Sequence, residues 1–296
     1  MVRKTRNVAA SVRARLYNLA RIQGTNFQRV LTRYALERFL YRLSVSFHKE
    51  LFVLKGAMLY AAWVADPFRM TRDLDLLTFA DRETEPLIKA VCEICALPVA
   101  DDDLSFDADN ILAEPFSNDR AHGVFRTRTS AKLGAAIIPV QIDVGFGDAI
   151  TPAPMELEYP VLLDQPAPTL NAYLRETVAT EKFEAMVTRD LANSRMKDIY
   201  DLLAMSRLFD FHGPSLAEAI RATFERRATP IPRERPLALT HVFSEDPQKL
   251  QQWHSFITRE PLLINEPNLR VVVREAGDFI MPAAIAAIDD CHLPRS

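Results

Sequence analysis

The chain places carboxylates where they could hold a cation. In Thr71-Arg72-Asp73-Leu74-Asp75-Leu76-Leu77 two aspartates alternate with a leucine, and apolar residues follow. Residues two apart on a strand point to the same side. Asp73 and Asp75 would then face one way while Leu74 and Leu76 anchor the strand in a core. Two carboxylates this close repel unless a cation sits between them. Oxygen donors on a short rigid element suit Mg²⁺, which is held by one or two carboxylates plus substrate phosphates. A third carboxylate, Asp143, interrupts the apolar run Gln141-Ile142-Asp143-Val144-Gly145, with Val140, Ile142 and Val144 on the opposite face. Such a carboxylate is costly unless paired or bound to a cation. Beside the other two it would complete a three-carboxylate site. Taken alone, each motif also suits a solvated strand end or a polar sheet face. Asp148, in the loop that follows, is the weaker candidate.

The elements that must position these residues begin upstream. Residues 53–79 open with an apolar turn into Lys55-Gly56-Ala57 and continue as an apolar helix-like run to the aspartates. Gly56 would let the backbone turn come close to phosphates. From Ala9 to Arg42 the periodicity is helical, broken at Gly24-Thr25, with Thr25 or Asn26 placed to cap a second helix. Its arginines are expected on the outer surfaces. Residues 81–97 read as an amphipathic helix. The segments 105–111 and 123–128 read as strands, and Asp101-Asp102-Asp103 as a solvated acidic cap. Prolines at 152, 154, 160, 166 and 168 make 151–172 an extended connection. Helices follow: one capped by Thr180 and carrying Lys182, a second after Asn193-Ser194, and others to the end of the chain.

The 296 residues, 48% apolar and 25% charged, have the composition of a soluble globular protein. No run is long and apolar enough to span a bilayer, and the basic N-terminus lacks a secretory core and cleavage site. Cys92 and Cys95 form a C-x-x-C without a second pair, inside what reads as a buried helix. That favours two apolar cysteines over zinc and points to a reducing cytoplasm. The net charge of −3 hides an asymmetry. Residues 1–55 carry twelve Lys or Arg and two acids, +10, while the remainder carries −13. A basic end on an acidic chain points to a polyanionic partner, or to arginines that pair with the protein's own acids.

The glycine turn, helix and D-x-D together resemble the polymerase-beta-like nucleotidyltransferases. LKGAMLYAAW…TRDLDLL resembles more closely the AbiEii-type nucleotidyltransferase toxins of bacterial toxin–antitoxin systems. So do Arg175–Met205, with its "EK" and "KD-x-x-DL", and HVFSEDPQKLQQWHSFITR. The chain departs from the family in having Gly56-Ala57 where Gly-Gly or Gly-Ser is usual, so no hydroxyl can reach a phosphate there. The resemblance implies an α/β fold, with a small mixed sheet of nucleotidyltransferase type, flanking helices and a helical C-terminal lobe. Its expected parts are a basic helical segment (1–52), a catalytic core (53–150), the proline-rich connection (151–172) and the helical lobe (173–296). It further implies Mg²⁺ at Asp73, Asp75 and Asp143, with Lys182 and Asp198 carried over as catalytic residues. Lys55, Gly56, Ala57, Thr71 and Lys182 would contact the nucleotide. The implied reaction is transfer of NMP from an NTP to the 3′ end of tRNA, blocking translation and growth, with a cognate antitoxin as partner. The alternatives are a nucleotidyltransferase acting on a small molecule or protein, and a non-catalytic RNA-binding module.

RNA would meet the basic end through Arg13, Arg15, Arg21 and Arg29. Phosphate contacts release counterions, so affinity should fall with salt at a slope of roughly −0.7 to −0.9 per contact. Neutralising all four arginines should weaken tRNA binding and flatten that slope, with little change in NTP affinity. Binding across a salt series, wild type beside the fourfold variant, checks this. An unchanged slope would place the RNA on another face.

Overall fold

The computed structural model describes residues 8–64, 71–80, 83–99, 102–116, 123–259 and 262–289. Arg3, Lys4 and Arg6 of the basic segment, Asp101 and Cys291 lie outside them. The chain separates into two units, residues 1–147 with 156–172, and residues 148–155 with 173–296. The first contains α1 (Val8–Ile22), α2 (Phe27–Ser44), β1 (Phe52–Lys55), α3 (Tyr60–Trp63), β2 (Leu74–Thr78) and α4 (Thr84–Ala96). It continues with β3 (Leu104–Phe106), β4 (Leu112–Phe116), β5 (Val124–Leu133), β6 (Ala136–Phe146), β7 (Met155–Glu158, from its second residue on) and β8 (Thr169–Ala172).

The fold is α/β, and its eight-stranded mixed sheet runs β3-β5-β6-β2-β1-β8-β7, with β4 also paired to β5. Strands β2 and β6 are parallel, while β1–β2 and β5–β6 are antiparallel. Alternation decides which side each strand buries. Leu74 and Leu76 of β2, and Val140, Ile142 and Val144 of β6, are all buried. That fixes the register, because a one-residue slip would turn the aspartates into the core and the aliphatics out. The proline-rich stretch does more than connect, since it returns to the sheet as β7 and β8, and β8 lies parallel to β1.

Helix α2 packs against β6, β8 and α4. The Asn26 side chain caps it, accepting from the N–H of Gln28 at 2.8 Å. Val30, Leu31, Leu36, Phe39, Leu40 and Leu43 bury it on nearly every side. Arg38 and Arg42 therefore do not lie on the surface, and Asp102 is not a solvated cap. All three are buried together. Arg42 Nη1 donates to Asp102 Oδ2 at 2.7 Å, and Arg38 Nε to the same oxygen at 3.2 Å. Asp102 Oδ1 also accepts from the N–H of Leu104 at 3.1 Å. A buried carboxylate persists only when charge-paired and hydrogen-bonded, and here it is both. Hence the acidic turn pins α2 to the loop before β3.

Helix α4 holds Cys92 and Cys95 as free thiols, and burial pushes that of Cys95 up to about 12. A thiol so raised is inert at neutral pH.

The second unit is helical: α5 (Arg175–Arg189), α6 (Met196–Leu208), α7 (Gly213–Arg226), α8 (His241–Ser244), α9 (Pro247–Arg259) and α10 (Leu269–Asp289). Phe183 of α5 meets Phe224 of α7 with ring centroids 5.3 Å apart, and α10 packs on α6 and α7. Helix α5 begins at Arg175, a turn and more before Thr180, so Thr180 is not its cap. The Thr180 hydroxyl lies inside the helix and donates to the Glu176 carbonyl at 2.8 Å. Asp148 is held by Arg227, whose Nη2 and Nε donate to its two oxygens at 3.0 and 3.3 Å, while Nη1 donates to Glu184 at 2.7 Å. That assigns Asp148 to bracing this unit rather than to the carboxylate site.

Glu37 of α2 generates a pH dependence. It is fully buried, and its Oε2 accepts from the Leu162 N–H at 2.8 Å while Oε1 has no hydrogen-bond partner. Burial pushes its pKa up to about 7, against the lowering effects of the Leu162 N–H, Arg33 and Arg38. A carboxyl raised in the folded state contributes its stability at low pH and loses it as pH rises through the folded value. Glu37→Gln should therefore melt with the wild type near pH 4.5 and above it at pH 8. The shift corresponds to on the order of 3 kcal/mol between protonation states. Melting curves from pH 4.5 to 8 test this; parallel curves for both proteins would refute it.

Candidate nucleotide and metal site

One row of side chains crosses the first unit's sheet. Strand pairing sets Lys55 of β1 opposite Asp75 of β2, Asp75 opposite Asp143 of β6, Asp143 opposite Arg126 of β5, and Arg126 opposite Glu114 of β4. Register partners on adjacent strands present side chains on the same face, so five charged residues share one line. Within it two carboxylates are direct neighbours, flanked on either side by a cation. Asp73 and Asp75 are partly exposed and Asp143 is buried.

Three local devices hold the row. Thr71 Oγ1 donates to Asp73 Oδ1 at 2.6 Å and approaches the Asp73 carbonyl at 3.1 Å, so this hydroxyl orients the aspartate just ahead of β2. Gly56 follows β1 with φ of +72°. A Cβ built there would lie 2.2 Å from Asp75 Oδ2 and 2.7 Å from the Asp75 Cβ and Cγ. The close approach that requires glycine is thus made to Asp75, where proximity to a phosphate was expected. Lys55 extends from β1 towards Gly145 of β6, its Nζ 3.9 Å from where a Cβ of that glycine would be. Its ammonium therefore spans β2, on the face shared by Asp75 and Asp143.

Arg126 is the residue that sequence reasoning missed. Its Nε donates to Asp143 Oδ1 at 2.8 Å and its Nη2 to Asp143 Oδ2 at 2.6 Å, a two-pronged charge-assisted pair. Asp143 tightens the guanidinium's hold on its proton, and Asp73 and Glu114 add to the same field. The signal was present in the alternation of Val124–Leu133, where Arg126 and Arg128 fall on the face opposite Phe125 and Thr127. Only strand pairing shows that Arg126 meets Asp143. Arg128 donates to Glu114 at 2.6 Å.

Asp73 and Asp75 provide hard oxygen donors on a rigid strand start, which suits a divalent cation. Asp143 fits less well as arranged, because both its oxygens accept from Arg126. Among the described residues, no group of three His, Cys, Asp or Glu side chains is arranged to hold a metal ion.

The second unit carries the other predicted residues. Lys182 of α5 donates to Asp201 Oδ2 at 2.5 Å and to Asp198 Oδ1 at 3.2 Å, both on α6. Asp198 and Asp201 are three residues apart and share a helix face. Asp201, which is not among the residues the resemblance carries over, is the closer and the fully buried partner. Asp198 keeps a small exposure. Of the arginines expected to meet RNA, Arg13, Arg15 and Arg21 of α1 are exposed and Arg29 of α2 is half-buried. Arg15 pairs with Asp164, and Arg13 stacks over the Phe27 ring, 5.9 Å from its centroid.

A model of the family described as nucleotidyl transferase AbiEii toxin, type IV TA system, matches residues 38–275. No curated protein sequence matches the chain. Among solved structures, JHP933 from Helicobacter pylori is similar over 90% of this chain and 96% of its own, with a TM-score of 0.51 and 14% identity. A second H. pylori structure, assigned as a nucleotidyltransferase, is similar over 90% of this chain and 100% of its own, with a TM-score of 0.50 and 14% identity. At that identity the likeness is one of fold.

The packing at Gly56 supplies a test. Gly56→Ala places a methyl against the Asp75 carboxylate and forces a left-handed backbone on an L-residue, at about 1–2 kcal/mol for the backbone alone. The variant should melt several degrees below wild type, and Asp75 should shift in its crystal structure. An unchanged melting temperature would show that the turn relaxes freely.

Proposed function

Because the chain belongs to the AbiEii nucleotidyltransferase toxin family of type IV toxin–antitoxin systems, we propose that it transfers a nucleoside monophosphate from an NTP to the 3′ end of tRNA, arresting translation and growth. The observation that carries this reading is the charged row, with Asp75 and Asp143 in register and Gly56 shaped around Asp75. Lys55 and Arg126 flank the two carboxylates in the row itself, and a nucleotide that arrives with its metal would add a further cation there. A cognate antitoxin is the partner that the family implies.

Asp73 and Asp75 are the residues that would hold Mg²⁺, which when bound supplies Lewis-acid stabilisation of charge on the phosphates. Thr71 fixes the Asp73 carboxylate and the Gly56 turn fixes that of Asp75, so neither needs to reorganise on binding. Lys55 directs a cation over the same face, as expected of a triphosphate contact. Ala57 contributes a backbone N–H at most. Lys182, in the second unit, is the further cation proposed for the triphosphate. Asp201 anchors it, and Asp198 orients it from the more accessible side. The long lysine stem with a compact charge suits that task. Arg13, Arg21 and Arg29 are proposed to meet tRNA phosphates, with Arg15 contributing once released from Asp164. The four parts expected from the sequence remain the proposed working divisions, with the basic segment for RNA and the core for chemistry.

Incubation with each labelled NTP and total tRNA tests the reading directly. Label should enter tRNA, and label in protein or a small molecule instead would move the assignment to another acceptor. Asp73→Asn, Asp75→Asn and Lys182→Ala should each lose on the order of a hundredfold or more in transfer, as when one preorganised charge-stabilising group is removed. Lys182→Arg should restore only part of it. Full activity in a folded Asp73→Asn or Asp75→Asn variant would overturn the assignment.

A further inference from the structure

Asp143 is the expected third metal ligand, yet its two oxygens accept the two prongs of Arg126 at 2.8 and 2.6 Å. Both side chains are largely shielded from water, Arg126 at 14% exposure and Asp143 at 9%. Gln141 Nε2 approaches the same carboxylate at 3.5 Å. A guanidinium so placed occupies the two-oxygen edge on which a cation would be held most closely, leaving only the outer lone pairs. It also sets a second positive charge within a few ångströms of that cation, in a setting less screened than bulk water. Arg126 and a metal ion at Asp143 therefore oppose each other. A guanidinium released from a carboxylate keeps a fork that fits phosphate oxygens equally well.

We propose that Arg126 and a divalent cation compete for Asp143, and that a nucleotide arriving with its cation draws the guanidinium off that carboxylate onto a phosphate oxygen. This rests on the nucleotidyltransferase reading, and it makes Arg126 a nucleotide-binding residue. Before the nucleotide binds, Arg126 neutralises Asp143 and keeps two adjacent carboxylates tolerable in the sheet. Afterwards the cation takes over that neutralisation, and the triphosphate gives the guanidinium a new anion. Metal and nucleotide then bind cooperatively, each strengthening the other by the same factor. Metal alone binds more weakly than metal with nucleotide, because it must displace Arg126 before a phosphate is present to take up the guanidinium fork.

The test is Mn²⁺ titration of the full-length protein, followed by the EPR signal of the free ion, first without nucleotide and then with a non-hydrolysable NTP analogue. Arg126→Ala should bind Mn²⁺ alone about tenfold more tightly, and the analogue with Mn²⁺ about tenfold more weakly, each equivalent to roughly 1.4 kcal/mol. Arg126→Lys, which keeps the charge without the fork, should fall between. Should the alanine variant fail to fold, the lysine variant decides alone by the same two readouts. Unchanged or weaker Mn²⁺ binding in folded variants would overturn the competition and leave Arg126 as a brace between β5 and β6. Tighter Mn²⁺ with unchanged analogue affinity would overturn the move to phosphate. Labelled-NTP transfer by the wild type is a separate measurement. Its failure, with the Mn²⁺ competition intact, would sink the enzymatic reading and not the competition at Asp143.

Discussion

Parallel strands put equivalent residues side by side, and in β2 and β6 those residues are Asp75 and Asp143. Adjacent strands lie roughly 4.8 Å apart, so two ionised carboxylates in register repel strongly where water is scarce. The register cannot slip to relieve this, because Leu74, Leu76, Ile142 and Val144 bury the opposite faces of the same strands. Hydrophobic alternation thus forces the repulsion, and the neighbouring strands must compensate for it. β1 brings Lys55 and β5 brings Arg126. The site is what remains when a sheet must place two like charges together and neutralise them from either side.

The same solution recurs at places that are structural. Asp102 is held by Arg38 and Arg42, and Arg227 is held by Asp148, Glu181 and Glu184. Depth separates these from the candidate site. Asp102 and Arg38 are entirely shielded, so no ligand can reach either without unfolding α2. Asp73, Asp75 and Lys55 are partly exposed on one sheet face. Lys182 stands between the two cases, since Asp201 is fully buried while Asp198 is not. The internal pairs also reduce the charge offered by the basic end. Arg38 and Arg42 neutralise Asp102 inside the core, and Arg15 meets Asp164, so part of the +10 formal charge is already answered by the first unit's own acids.

Periodicity made the broad architecture legible. The amphipathic helices and the alternating strands around Asp75 and Asp143 follow from apolar spacing, while the α/β class with a helical C-terminal lobe came from the family resemblance. Long-range pairing was not legible. Asp101-Asp102-Asp103 looks like any acidic loop until α2 is seen to aim two buried guanidinia at its middle residue. The prolines of 151–172 predicted extended chain correctly, but not that β8 would pair with β1. Thr180 resembled a cap because threonine favours that position, whereas five residues ahead of it already suit a helix. Arg126 was hidden for the simplest reason: a strand's alternation tells which face a residue occupies and not which strand lies beside it.

Gly56 shows how much depends on that distinction. In sequence, a glycine ahead of a D-x-D suggests a phosphate-binding turn, and replacement of the following Gly or Ser by Ala57 suggests a weakened one. In the structure the positive φ and the missing Cβ are both required by Asp75, whose carboxylate occupies the space a side chain at 56 would fill. The glycine's first task is therefore to let β1 and β2 meet with a charged residue between them, which is a property of the sheet. Ala57 follows in the short helical turn Gly56–Leu59 and does not take part in that contact. Exchange of a family serine or glycine for alanine there removes at most a side-chain hydroxyl, and leaves unchanged the backbone path that fixes Asp75. Position 57 can therefore vary while position 56 cannot, because only position 56 answers to the carboxylate row.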